Sequence, residues 1–480
     1  MTHTVEKIGG TSMSDYAAVR DNIVLNRRLA DCLYNRIFVV SAYSGITDQL
    51  LEHKKTGQPG VYALFANADE DAAWRQALEL VRGRMEEINA GLFTDAQQRQ
   101  AADAFIGQRL SDVEQVLDNL QRLCRHGHFE LEQHLLTVRE MLASLGEAHS
   151  AWNMAQLLRQ DDINARFVDL TGWHAKHSLS LDEHIHQAFA GVDLSRELPI
   201  VTGYAHCDEG QMGSLGRGYS EMTFSRIAVL TGAAEGVIHK EYHLSSADPR
   251  VVEEGRIVPI GRTNYDVADQ LANLGMEAIH PKAAKGMRQS GIPLRIKNTF
   301  EPDHTGTLIT GDYVSETPCV EIIAGRRHVY AVEIFDQDMV GDVEDYDREV
   351  LDLIDRFRAA IVTKDINANT ITHYLDTNLK TIKRLTRELS ERYPGAEVDF
   401  RTVAIVSAIG SDMQVPGILA KSVGALADAG IGVLAMHQSM RQVDMQFVID
   451  EAEYELAVQS LHKCMIEPHN HGYAICAAAY

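Results

Sequence analysis

A lysine two residues ahead of a glycine pair, Lys7-Ile8-Gly9-Gly10-Thr11-Ser12, is the arrangement in this chain best suited to holding phosphate. The residues that carry Lys7 read as a strand, and those after the glycine pair open a helix. Without Cβ atoms, Gly9 and Gly10 let backbone N–H groups approach an anion, a helix start adds its dipole, and Lys7 supplies a full positive charge. The same residues also suit a tight strand-to-helix turn, capped by Thr11 or Ser12, beside a solvated lysine. A second element, Gly213-Ser214-Leu215-Gly216-Arg217-Gly218-Tyr219-Ser220-Glu221, sets an arginine between two glycines just before a helical run. Its guanidinium fork is unobstructed, which suits bidentate capture of a carboxylate or phosphate; a flexible loop with a solvated arginine has the same composition. A third, Ser245-Ser246-Ala247-Asp248-Pro249-Arg250, follows a strand and has turn chemistry.

These elements need a scaffold that brings distant loops together. Residues 36–43, RIFVVSAY, form a nearly continuous apolar run ending at the turn SGIT, as expected of a parallel strand covered on both faces. Further strand signals stand at 165–170, 198–205, 235–242 and 292–298, and helical spacing dominates 69–160, 220–232 and 264–290. Alternating strand and helix predicts an α/β fold with a mainly parallel sheet between helices. After about residue 315 the order β-α-β-β-α-β occurs and then nearly repeats, which predicts two consecutive ferredoxin-like units. The domains expected are therefore 1–315, with a helical insertion at about 57–140, then 316–400 and 401–480.

The 480 residues carry 68 acidic and 45 basic side chains, a formal charge of −23, which argues against a nucleic-acid or anionic-membrane surface as main partner. Six cysteines lie far apart with no CxxC pair, so neither a zinc site nor a disulfide framework is indicated. With no apolar leader or membrane-length run, a cytoplasmic location is expected. The short-spaced histidines at 126–128, 184–186 and 469–471 lack supporting ligands, and no residue is assigned to a metal.

Taken in order, the motifs resemble the aspartate kinases of the amino-acid kinase superfamily along essentially the whole chain. The residues that carry the resemblance are Lys7 to Ser12, Val39 to Thr47 (VVSAYSGIT), Gly146-Glu147, Leu215 to Ser220, Ala247 to Arg250 and Gly275 to Pro281. The duplicated tail resembles that family's tandem ACT domains. The resemblance implies transfer of the γ-phosphoryl of MgATP to the side-chain carboxylate of L-aspartate. It assigns Lys7 and Glu221 to catalysis, with Lys7 bridging phosphate oxygens. Ser41, Thr47, Glu147, Arg217 and Ser220 are assigned to the amino acid, Glu147 pairing its α-ammonium and Arg217 its α-carboxylate. Gly9, Gly10, Ser41, Lys240, Ser245, Asp248 and Arg250 join Lys7 around the nucleotide. An assembly of at least two chains, and an amino-acid effector at the tail, are implied as well.

The chain also departs from the family pattern. Tyr219-Ser220-Glu221 stands for the usual Gly-Ser-Asp, the nucleotide strand is rewritten as Ile238 to Ser246, and Glu277 replaces a customary lysine. Lys240, His239 or His243 can offset that reversal of sign. These changes resemble the aspartate kinases that accompany ectoine synthesis. They leave open two alternatives: a kinase-like amino-acid sensor without turnover, and a kinase of another small carboxylate.

Overall fold

The computed structural model describes residues 2–26, 33–54, 56–67, 71–126, 128–173, 177, 179–211, 218–276 and 278–468. The chain divides into two compact units, one built from Met1–His243 and Ile279–Gly311, the other from Leu244–Ala278 and Asp312–Ala478.

In the first unit, parallel strands lie in the order Ala165–Val168, Leu198–Thr202, Arg36–Val40, Thr4–Ile8, Glu235–Lys240, Leu294–Asn298, with Thr307–Thr310 antiparallel on the last. Arg36–Val40 and Leu198–Thr202 are buried throughout, as apolar runs between two layers of helix must be. The order reverses between Thr4–Ile8 and Glu235–Lys240, so loops on either side of that seam part and leave a crevice at the strands' C-terminal ends.

Strand Thr4–Ile8 carries two charges that alternation sends to opposite faces. Glu6 is buried on one face against Arg36, whose Nε and Nη2 donate to its two carboxylate oxygens at 2.6 and 2.9 Å. His239 joins them, its Nε2 lying 2.8 Å from Glu6 Oε2. Burial alone would raise the Glu6 carboxyl, but the Arg36 guanidinium and His239 outweigh it and hold the group well below the usual range. Lys7 projects from the other face.

The insertion forms the helices Asp71–Leu92 and Ala96–Cys124, which bury the stripes Trp74, Leu78, Val81, Met85 and Ala102, Ile106, Leu110, Val113, Leu117. They pack beside Glu132–Gln160, buried on nearly every side between Val138 and Leu158. The helical stretch expected at 264–290 is broken: Tyr265–Asn273 ends ahead of Gly275, at φ +80°, and Pro281 starts a new helix, Pro281–Gln289.

The tail departs from two consecutive units. Its strands form one antiparallel sheet in the order Ala360–Ile366, Thr370–Asp376, Ile322–Phe335, Glu397–Ile409, Asp444–Asp450, Val433–Gln438. The stretches AEVDF and TVAIVSAI, which read as separate strands, are the continuous strand Glu397–Ile409. Position 400/401 lies inside it. It pairs along its length with Ile322–Phe335, interrupted where His328 takes φ 57° and the register shifts between Val403 and Ile405. Ile322 to Arg326 therefore supplies a strand to the second half, while Tyr330 to Phe335 belongs to the first. The first half is nested inside the second because one strand pair, with a single irregularity in its ladder, serves both. Gly341, at φ 99°, and Gly417, at φ 85°, precede the helices Val343–Arg356 and Ile418–Asp428, where only glycine takes that backbone without strain.

Candidate active site

The register Lys7↔Ile238 puts Lys7 on the same face as Ile238 and, two residues on, Lys240. Helix Tyr219–Thr231 packs on that face and presents Glu221 to both lysines. Lys7 Nζ donates to Glu221 Oε1 at 3.2 Å, and the two side chains are nearly buried. The other oxygen, Oε2, accepts the His280 N–H. Burial would raise the Glu221 carboxyl, yet Lys7, Lys240 and the His280 N–H hold it below its ordinary value. Glu221 thus lies between the charges of Lys7 and Lys240 at the end of the seam.

Glu147, from the middle of helix Glu132–Gln160, reaches the same region and is 2% exposed. Ser220 Oγ donates to its Oε1 at 2.6 Å, whereas Oε2 makes no hydrogen bond of full geometry, the Tyr204 and Ala42 N–H groups acting on the carboxyl only weakly. Burial pushes this carboxyl up to about 8, against the opposing pull of the Ser220 hydroxyl and the Lys7 charge. A buried carboxyl with an under-satisfied oxygen has capacity for a further donor. Gly203 makes room for it, since a Cβ there would lie 3.0 Å from Glu147 Oε2 and 2.7 Å from the Val40 carbonyl.

The loops at the strand ends complete the crevice. Ser41 follows strand Arg36–Val40 and its N–H bonds the Ile8 carbonyl at 3.1 Å. Thr47 stands in the first turn of Ile46–Leu50, after Gly45 at φ 82°. Gly10 is needed for packing as much as for anion approach, because a Cβ on it would come within 2.6 Å of the Ala42 carbonyl.

Residues 3–298 match the Amino acid kinase family, and residues 406–465 match the ACT domain. Aspartate kinase Ask_Ect of Stutzerimonas stutzeri (strain A1501) is 58% identical over 476 residues, covering 99% of this chain and 100% of the relative. The chain belongs to the aspartate kinases of the amino acid kinase family. This aspartate kinase is also 25% identical over 486 residues to chloroplastic aspartokinase 1 of Arabidopsis thaliana, covering 96% of this chain and 80% of that one. It shares its fold with E. coli aspartokinase III crystallised with lysine and aspartate, at a TM-score of 0.72 and 20% identity, covering 97% of this chain and 100% of that one.

Of the residues singled out in the sequence, the first unit of this aspartate kinase brings together Lys7, Glu147, Ser220, Glu221 and Lys240. Gly9, Gly10, Ser41 and Thr47 lie in the turns and helix starts that follow the strands Thr4–Ile8 and Arg36–Val40. Gly9 differs from expectation in one respect: its N–H is spent on the His239 carbonyl at 3.1 Å, extending the sheet rather than facing an anion. The helix it opens, Gly10–Met13, is a single turn, so its dipole is small. His239 is turned to the face opposite Lys7 and Lys240 and is held there by Glu6. His243 sits 3.0 Å from Glu301 Oε2. Ser245, Asp248 and Arg250 belong to the second unit, where Arg250 Nη2 grips Asp248 Oδ2 at 2.7 Å while its side chain is 83% exposed. Arg217 and Glu277 lie outside the described residues, as do Gly127 and the histidines at 469 and 471. His184 Nδ1 lies 2.9 Å from the His206 carbonyl.

Sequence reasoning missed the Ser220–Glu147 bond and the backbone donor of His280. A serine preceding an acidic residue at a helix start reads as a cap. Its partner is 73 residues away, and no local pattern announces it.

Proposed function

We propose that this chain transfers the γ-phosphoryl group of MgATP to the side-chain carboxylate of L-aspartate, forming 4-phospho-L-aspartate and ADP. The observation that carries the residue assignment is the convergence of Lys7, Lys240 and the under-satisfied carboxyl of Glu147 at the C-terminal ends of the strands flanking the seam. The aspartate carboxylate attacks the γ-phosphorus, the bond to the β–γ bridging oxygen breaks, and its electron pair leaves with ADP. The nucleophile is already an anion, so the reaction needs no strong general base; it needs two repelling anions neutralised and aligned.

Lys7 and Lys240 supply that neutralisation, and Glu221 holds the Lys7 ammonium toward the crevice within reach of the Lys240 charge. Glu221 is thus a positioning residue, and Ser220 orients Glu147. Glu147 receives the α-ammonium of aspartate, with Ser41 and Thr47 around the reacting carboxylate and Arg217 on the α-carboxylate. Among the described residues no three acidic, histidine or cysteine side chains form a metal site, and Glu221 is engaged by Lys7 and the His280 N–H. Mg2+ accordingly enters as part of the nucleotide, coordinated by its phosphates. The ACT tail takes an amino-acid effector in a homodimer or larger assembly, the enzyme works in the cytoplasm, and its product serves amino-acid or ectoine synthesis. No helix among the described residues is long and apolar enough to cross a membrane.

ADP formation should depend on L-aspartate, and hydroxylamine should trap the acyl phosphate as aspartyl hydroxamate. Turnover indifferent to aspartate but driven by another small carboxylate would reassign the acceptor, and no turnover at all would favour a sensor.

The Glu147 assignment has a pH signature. The group is raised to about 8 in the empty site, so near neutrality it holds a proton that an arriving ammonium displaces. Aspartate affinity should therefore strengthen as pH rises toward that value, by up to about tenfold per unit, and then level off. Calorimetric titration in buffers of different ionisation enthalpy should show close to one proton released per aspartate at about pH 6.5 and almost none at about pH 9. Buffer-independent heats at the lower pH would remove Glu147 from the ammonium site.

A further inference from the structure

The helical insertion reaches the catalytic crevice through a buried polar chain that the reaction chemistry does not use. Asn89, on helix Asp71–Leu92, donates from Nδ2 to Asp103 Oδ1 of the neighbouring helix at 2.9 Å. Its carbonyl oxygen accepts from Asn153 Nδ2 at 2.8 Å and meets His149 Nε2 at 2.7 Å, both on helix Glu132–Gln160. Asn153 Nδ2 also lies 3.1 Å from His149 Nε2, closing a three-way cluster; the Asn89 oxygen, which only accepts, is the nearer partner and takes the Nε2 proton. His149 then packs edge-on against Tyr43, with ring centroids 5.4 Å apart, and the Tyr43 hydroxyl meets the Asn153 side chain.

Asn89, His149 and Asn153 have no solvent exposure, and burial lowers His149 to about 3, so the ring is neutral. The chain is costly. His149 Nδ1 and Asn153 Oδ1 have no partners, and apolar packing at these sites would be the more stable arrangement. What such a chain does instead is fix one register between the inserted helices, the Glu147 helix and the Ser41–Thr47 loop. The same helix grips that loop at two more points. Ser150 Oγ donates to the Ser41 carbonyl at 2.8 Å, and Gly146 leaves room for Ala42, whose Cβ would lie 2.7 Å from a Cβ placed there.

We infer that the insertion sets the aspartate site: Asn89, His149, Asn153 and Tyr43 are positioning residues that hold the Glu147 carboxylate and the Ser41–Thr47 loop at the spacing L-aspartate needs. The inference rests on the reading of Glu147 as the ammonium partner. Glu147 lies two residues from His149 on a rigid helix, so a shift of the ring moves the carboxylate with it, and misplacement by about 1 Å is enough to impair binding and alignment.

The test is kinetic. His149→Phe keeps the ring volume and the Tyr43 contact but removes the hydrogen bonds. It should raise KM for L-aspartate about tenfold while KM for ATP stays within about twofold. His149→Gln restores an N–H near the position of Nε2 and should recover most of the loss. Asn89→Ala, made in the insertion, should reproduce the His149→Phe pattern, and it decides the matter if the phenylalanine variant does not fold. Folded variants with unchanged KM for aspartate, equal changes in both KM values, or a glutamine variant no better than phenylalanine would overturn the positioning role. Glu147→Gln, run alongside, separates the two readings. If it raises KM for aspartate while the His149 and Asn89 variants do not, only the positioning role is lost. If it leaves KM unchanged, the ammonium assignment fails and the positioning role falls with it.

Discussion

Lys7→Ala should lower kcat by about three orders of magnitude while KM for L-aspartate changes by less than about threefold. The ammonium stands at the seam of the sheet, on the face of the strand opposite Glu6, and no other described side chain can take its place. Lys240 shares Glu221 with it but comes from the neighbouring strand. At an effective dielectric of ~20, one unit charge about 4 Å from another contributes about 4 kcal/mol. Charge that develops on the transferring group is stabilised on that scale, whereas aspartate in the ground state is held by other residues. The same substitution leaves Glu221 buried with Lys240 and the His280 N–H only, so its carboxyl moves upward and the variant loses some stability. Steady-state ADP release at saturating MgATP, alongside the thermal midpoint, measures both effects. A folded Lys7→Ala enzyme with near-normal turnover would dismiss the lysine from the reaction.

Glu147→Gln should raise KM for L-aspartate about a hundredfold, through loss of a desolvated ion pair with the α-ammonium. Its effect on stability should have the opposite sign. Glu147 is protonated in the folded protein up to about 8, while in the unfolded chain it ionises near its ordinary value of 4.5. Between those limits the folded state binds the extra proton, so the ionised unfolded chain gains on it and stability falls as pH rises, levelling above 8. Glutamine removes that penalty, so the substrate-free variant should melt at least as high as the parent, by a margin that widens from about pH 6 to about pH 8. Thermal melts across that range, with aspartate saturation curves, check both signs at once. A variant that binds aspartate normally would release Glu147 from its role, and one that melts far lower would show that the carboxylate supports the fold.

Much of the positioning could be read from residue order. The run RIFVVSAY, the glycine pair after Lys7 and the serine–glutamate at a helix start are local patterns, and each falls where its strand or helix begins or ends. The nesting of the tail was not legible, because AEVDF and TVAIVSAI carry separate strand signals while one hydrogen-bond ladder joins them. His239 was equally ambiguous. A histidine next to a lysine on a strand is as ready to face the nucleotide as to turn away, until the register with Thr4–Ile8 and the pull of Glu6 decide.

By itself the amino-acid order determined which groups this protein has for the work: a lysine at a strand end, an acidic residue in a helix start, glycines where backbones must meet, and alternating strands and helices to carry them. Only the tertiary structure decided what those groups face. Burial lifted Glu147 while two lysines lowered Glu221, and the insertion was tied to the crevice through Asn89 and His149. The reason is physical: a carboxyl's proton affinity and a hydrogen bond's partner depend on atoms a few ångströms away in space, and here those atoms come from residues tens to hundreds of positions distant.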